Sequence, residues 1–174
     1  LPGCAAVVAG GAAAVVVATD RRSSAVQLED SNIEVKGNSR LKEQLQNRAA
    51  IDIVSYNQKV LLVGYVVDEA TKADAERVMR ALPGVRQIYN EVQVGSMSAG
   101  SQQYMEDSYL TTKVKTGLAE KVQSLNPNHV KVTTEAGTVF LMGLLRPAEA
   151  SIAVDVAATT SGVKKVVKLF EYID

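Results

Sequence analysis

Ile51-Asp52-Ile53-Val54-Ser55-Tyr56-Asn57-Gln58-Lys59-Val60-Leu61-Leu62-Val63-Gly64 and Val130-Lys131-Val132-Thr133-Thr134-Glu135-Ala136-Gly137-Thr138-Val139-Phe140-Leu141-Met142-Gly143 are two readings of one pattern, 79 residues apart. Each opens with alternating apolar and polar residues, turns through a polar or Gly-containing pair, and closes on an apolar run ending in Gly. Alternation with a period of two marks a half-buried strand, so each stretch reads as a β-hairpin turning at Asn57-Gln58 or Ala136-Gly137. Gly64 and Gly143 end the second strand of each hairpin, where a missing side chain lets another backbone approach. Downstream, Leu82-Pro83-Gly84-Val85 corresponds to Thr160-Ser161-Gly162-Val163. The same order of elements occurs twice, which makes the chain a tandem repeat.

Outward from the hairpins, each repeat supplies the same neighbours. Ser31-Asn32-Ile33-Glu34 has capping-box spacing and predicts a helix to about Gln46. Asp68 caps a second helix bearing Ala70, Ala73, Val78 and Leu82, with Gly84 just past its end. Val85, Ile88, Tyr89 and Val92 form a closing strand. In the second repeat a helix runs from about Ser108 to Ser124, with Leu110, Val114, Leu118 and Val122 on the stripe that faces the sheet. Pro147 starts the next helix, Gly162 ends it, and a last strand runs to Ile173. Helix–strand–strand–helix–strand, twice, is an α+β fold with two helices on one face of a small sheet. The expected division is 1–30 as an apolar run and tether, 31–94 as the first domain, 95–107 as a linker and 108–174 as the second domain.

Composition narrows the function. Over 174 residues Lys plus Arg and Asp plus Glu are 19 each, so no global field draws nucleic acid. There is no Trp, which disfavours a large aromatic-lined pocket. One Cys and one His exclude a disulfide framework and a zinc site built from those residues. No nucleophile elbow, phosphate loop, zincin motif or dinucleotide fingerprint occurs, and Asp68, Glu69 and Glu149 sit where helix capping explains them. His129, alone before a strand, reads as a turn residue. The chain is expected to bind rather than catalyse, without a cofactor or a metal.

Leu1-Pro2-Gly3-Cys4 resembles the bacterial lipobox, in which the Cys is acylated and becomes the mature N-terminus; Pro2 stands where a small residue is usual. Ala5 after the Cys points to the outer membrane within that resemblance. The Ala/Val/Gly run that follows to Ala18 is shorter than the ~20 residues a bilayer crossing needs, and Thr19 to Asp30 reads as a polar tether.

The order αββαβ, the hairpin ends Lys59–Gly64 and Val139–Gly143, and the pairs Gly84-Val85 and Gly162-Val163 resemble the BON domain. Tyr89-Asn90-Glu91 and Asp107-Ser108-Tyr109-Leu110-Thr111-Thr112-Lys113-Val114-Lys115 do so too. Two such domains behind a lipobox resemble the dual-BON outer-membrane lipoproteins of Gram-negative bacteria. That resemblance implies a three-stranded mixed sheet in each domain and lipid anchoring at Cys4 on the periplasmic face of the outer membrane. It also implies recognition of an anionic phospholipid membrane by the second domain, with a role in membrane integrity at the division site. The phospholipid-binding residues carried over are Tyr109, Leu110, Thr112, Lys113, Lys115 and Thr116, with Gly64, Gly84, Gly143 and Gly162 as structural glycines. In the family a Trp usually holds the place of Tyr109. An aromatic near a helix start with Lys113 and Lys115 close by suits a membrane interface on its own terms. A second function class stays open: a scaffold that docks on outer-membrane assembly machinery or forms a homo-oligomer through sheet edges.

Overall fold

Both hairpin turns place non-glycine residues in the left-handed region: Asn57 at φ 51°, Gln58 at 62° and Ala136 at 50°, with Gly137 at 79°. Two consecutive positive φ values make a type I′ turn, whose twist matches that of the strands it joins. Neither Gln58 nor Ala136 adopts this conformation readily, so each turn needs an external hold. A buried aspartate provides it. The Asp30 carboxylate accepts the N–H groups of Asn57 (2.8 Å) and Gln58 (2.7 Å). The Asp107 carboxylate accepts those of Ala136 and Gly137, both at 2.9 Å.

Each aspartate belongs to the helix that opens its domain. The computed structural model describes residues 20–95 and 100–174. The first domain runs α1 (Ser24–Leu45), β1 (Ala49–Tyr56), β2 (Lys59–Val66), α2 (Glu69–Arg80), β3 (Gln87–Asn90) and β4 (Gln93–Val94). The second runs α3 (Ser101–Ala119), β5 (Val130–Glu135), β6 (Thr138–Leu145), α4 (Pro147–Thr159) and β7 (Lys165–Tyr172). In each, the hairpin is antiparallel and the last strand adds parallel to the middle one, giving sheet orders β1-β2-β3 and β5-β6-β7. The expected mixed sheets are present; in the first domain the closing strand is broken after Asn90 and resumes as β4, still on β2.

Several expected boundaries move. α1 starts at Ser24, not Ser31: Ser23 is the N-cap, accepting from the Val26 N–H. Ser31 lies inside the helix, its hydroxyl bonded to the Gln27 carbonyl, and Glu34 reaches the Ser55 N–H instead of capping. The polar run from Ser23 contains no breaker, so nothing stops helix formation there. Likewise α3 begins at Ser101 rather than Ser108 and ends at Ala119. Val122 therefore leaves the buried stripe and is exposed, while Leu125 fills the core in its place. Asp68 caps α2 as expected, accepting from Thr71 N–H at 2.7 Å. Glu149 closes a capping box on the Arg146 N–H of α4.

Each domain has its own core between sheet and helices. Val60, Leu62 and Val66 pack on Ile33, Leu41, Ala75 and Met79 in one; Val139, Leu141 and Leu145 pack on Val114, Leu118, Ala153 and Ala157 in the other. A third cluster joins the domains: Tyr56, Leu61, Val63, Phe140, Met142 and Leu169. The opposite faces of the two sheets thus pack against each other. That is why Val60–Val63 and Val139–Met142 are unbroken apolar runs, since both faces of the middle strands are covered. Burying each such side chain contributes roughly 1.5–3 kcal/mol as an upper range, so the two domains form one body. Glu171 adds polar ties across the seam to Asn57 (2.8 Å) and Lys59 (3.4 Å).

Gly64 and Gly143 sit within the middle strands, which run on to Val66 and Leu145, rather than ending them as expected, and Gly64 shows why glycine is needed there. At φ 118° it lies where a Cβ would stand 2.1 Å from the Ala50 carbonyl oxygen. At Gly143 a Cβ would meet the His129 carbonyl oxygen at 2.5 Å, so the two domains use the same close approach. Gly84 and Gly162 lead out of their helices with φ 85° and 97°.

Replacing Asp107 with Ala removes two charge-assisted bonds and leaves the Ala136 and Gly137 N–H groups without them. The expected loss is about 3 kcal/mol of unfolding free energy in urea melts, and a loss below about 0.5 kcal/mol would show that the turn holds itself.

Candidate functional site

The register of α3 follows from its buried stripe. Asp107, Leu110, Val114 and Leu118 are its buried residues, spaced as one face of a helix. At about 100° per residue, Met105, Tyr109, Thr112 and Thr116 then fall together on the outward face. Lys113 lies roughly 40° from Tyr109 on one flank and Lys115 about 120° away on the other. Tyr104, Met105 and Tyr109 are 74 %, 69 % and 65 % exposed. Met105 and Tyr109 are adjacent on the outward face and make a patch there, whereas Tyr104 lies about 140° round the helix from Tyr109 and lines the cleft beside α1.

The polar groups around it are ordered. Lys113 donates from Nζ to the Ser161 carbonyl and hydroxyl, both at 2.7 Å, and its Nζ stands 5.4 Å from the Tyr109 ring centroid. Its charge is thereby held beside the aromatic ring. Thr112 and Thr116 return their hydroxyls to the carbonyls of Ser108 and Thr112 within the helix, so they present methyl groups as well as oxygen outward. Of the nearby carboxylates, Asp107 is turned inward onto the β5–β6 turn and Glu106 accepts from Gln102 Nε2 at 3.0 Å.

Against the residues named from sequence, Tyr109, Thr112, Lys115 and Thr116 are exposed and Lys113 is half-buried. Leu110 is a correction. It is 8 % exposed, and a Cβ at Gly162 would stand 2.9 Å from its Cδ2, so its side chain packs inward and is withdrawn from any surface. Cys4 lies outside the described residues. Met105 was not legible as a site residue because 95–107 read as linker; the available signal was the breaker-free run from Ser101 onward.

One concave region suits an anion poorly. A cleft of about 460 Å³ between α1 and α3 is lined by Asp52, Asp107 and Glu135, with Lys42 as its cation. Burial pushes the Glu135 carboxyl upward, and the charges of Asp107 and Asp52 add to that. A phosphate would be repelled there. Among the described residues no helix is long and apolar enough to cross a membrane, and no group of three His, Cys, Asp or Glu residues could hold a metal ion.

The BON domain family model matches residues 29–96 and 106–174. The chain is 40 % identical over 177 residues to the Outer membrane lipoprotein DolP of Haemophilus influenzae, covering 100 % of this chain and 91 % of that one. It is 38 % identical to the 21 kDa hemolysin of Actinobacillus pleuropneumoniae, over 88 % of this chain and 79 % of the relative. It is 31 % identical to Osmotically-inducible protein Y of Escherichia coli K12, over 80 % and 70 %.

The two neighbours on α3 should separate in stability. Leu110→Ala is expected to cost about 2–5 kcal/mol in urea unfolding, whereas Tyr109→Ala stays within roughly 0.5 kcal/mol of the parent. Equal losses would mean that the Tyr109 ring is structural.

Proposed function

The chain belongs to the BON-domain family, in the branch of tandem-BON outer-membrane lipoproteins, and from that premise we propose that its second domain reads an anionic phospholipid surface through the outward face of α3. The observation that carries this reading is the patch of Met105 and Tyr109 with Lys113 and Lys115 on its flanks. Tyr109 takes its ring to headgroup depth and keeps its hydroxyl wet. Met105 adds a flexible apolar side chain beside it. Each lysine near an anionic surface contributes about 1 kcal/mol.

Such a patch is weak alone. Acylation of Cys4 supplies the lasting attachment, at about 0.8 kcal/mol per buried methylene, and holds the helix face at high effective concentration over the membrane. The protein then acts by binding, with Asp68 and Glu149 engaged as helix caps. Support of outer-membrane integrity, with enrichment at the division site, is the cellular role this reading proposes. Docking on assembly machinery or self-association is the competing role. The tip of the β1 edge is already occupied, Glu34 taking the Ser55 N–H at 2.9 Å, which leaves that edge less open to strand addition.

Flotation of the unacylated chain with liposomes tests the reading. Anionic vesicles should carry the protein and neutral ones should not. Tyr109→Ala, Met105→Ser and the pair Lys113→Glu/Lys115→Glu should each weaken flotation by about tenfold or more, equivalent to 1.4 kcal/mol. Absence of flotation with folded protein would leave Cys4 as the membrane contact and shift the function to the scaffold.

A further inference from the structure

Asp20, Arg21 and Arg22 occupy the stretch whose composition reads as tether, yet each is seated on the body. The Arg21 guanidinium donates to both Glu149 carboxylate oxygens, at 2.7 and 2.8 Å, and to the Leu144 carbonyl at 2.7 Å. Both of those residues belong to the second domain. Arg22 turns the other way. It donates to Asp30 at 2.8 Å and lies 4.0 Å over the Tyr56 ring, both in the first domain, while Asp20 accepts from it at 2.7 and 3.1 Å. Consecutive arginines therefore grip different domains, and Tyr56 itself is part of the apolar cluster between the sheets.

We propose that Asp20–Arg22 is a clasp across the domain seam, and that Arg21, Arg22 and Glu149 are positioning residues that fix how the chain at Asp20–Arg22 is seated and directed on the two-domain body. The clasp rests on this geometry alone; its bearing on the membrane rests on the Cys4 anchor proposed above. Cohesion of the domains does not require it, because the apolar seam already joins them. What it adds is direction. The planar Arg21 fork matches a carboxylate in two parallel bonds, which sets an orientation as well as an attraction. The contacts are mostly shielded: the Arg21 and Glu149 side chains are 18 % and 12 % exposed. The hydrogen bond from Arg21 leads the causes that hold the Glu149 carboxyl down to about 2, with the Arg146 N–H helping, so the pair stays charged at neutral pH. Removing one partner leaves the other charge poorly hydrated, which favours release of the segment over a loosened contact.

Trypsin reads the seating directly, because cleavage at the Arg22–Ser23 bond needs the segment lifted off the body into an extended strand. The test uses the full chain, with that cleavage followed by mass spectrometry. Arg21→Met removes the fork without touching the Arg146–Glu149 cap. It should raise the cleavage rate by about tenfold or more, with the thermal midpoint of the body moving less than roughly 3 °C. Arg21→Lys, which keeps the charge but not the fork, should fall between, and 1 M salt should raise the parent rate toward that of Arg21→Met. Equal rates for parent and Arg21→Met would overturn the clasp. So would a parent cut as fast as an unstructured arginine peptide. Vesicle flotation of the same variants separates this result from the lipid reading, since Arg21 lies off the α3 face and neither outcome decides the other.

Discussion

A carboxylate lent by the first helix to the hairpin turn is the contact on which both domains depend. Asp30 and Asp107 are buried, and each takes the two N–H groups of a type I′ turn that contains a non-glycine residue at positive φ. The bond does two things at once. It stabilises a turn whose residues do not favour that conformation, and it fixes the rotation of the helix about its own axis. Once Asp107 must point at Ala136 and Gly137, helical periodicity sends Leu110, Val114 and Leu118 inward and Met105, Tyr109, Thr112 and Thr116 outward. The candidate lipid face is thus a geometric consequence of a turn cap on the other side of the helix.

The second organising feature is that the sheets are covered on both sides. Helices take one face of each sheet, and the two remaining faces take each other through Leu61, Val63, Phe140, Met142 and Leu169. A domain of this size buries only a modest core by itself, so the shared cluster completes what each lacks. The arrangement also keeps α3 on the outside, where no other element among the described residues covers the Tyr109 face. First and second domains are built alike, but they differ at the equivalent helix: Asp30 also receives the Ser55 hydroxyl and Arg22, whereas Asp107 serves only its turn among the described contacts.

Much of this architecture was readable from the residues. Alternation in Ile51–Ile53 and Val130–Val132 gave the first strands, and the Asn57-Gln58 and Ala136-Gly137 pairs gave the turns. The Asp68 and Pro147 signals gave the second helices, because each of these cues is local and has one dominant physical cause. What stayed hidden depends on contacts distant in sequence. Asp30 and Asp107 read as polar linker residues, since nothing local shows that their partners lie some thirty residues on. Ser31 and Glu34 have the right spacing for a capping box, but helix propensity continues upstream to Ser23, and the true start moved with it. Arg21 and Arg22 look like solvated tether until the second domain brings Glu149 to one of them. Met105 was missed for the same reason as the early helix start, and Leu110 was misplaced because a family motif names positions without saying which way they face.

The central claim is that one helix face, chosen by the Asp107 cap, meets the bilayer. Paramagnetic relaxation enhancement in isotope-labelled protein, with anionic nanodiscs carrying a nitroxide on the lipid headgroup, tests it most directly. The account expects line broadening concentrated at Met105, Tyr109, Thr112 and Thr116, with Leu110, Val114 and the whole first domain little affected. Broadening centred on the first domain, or spread evenly over both, would contradict it.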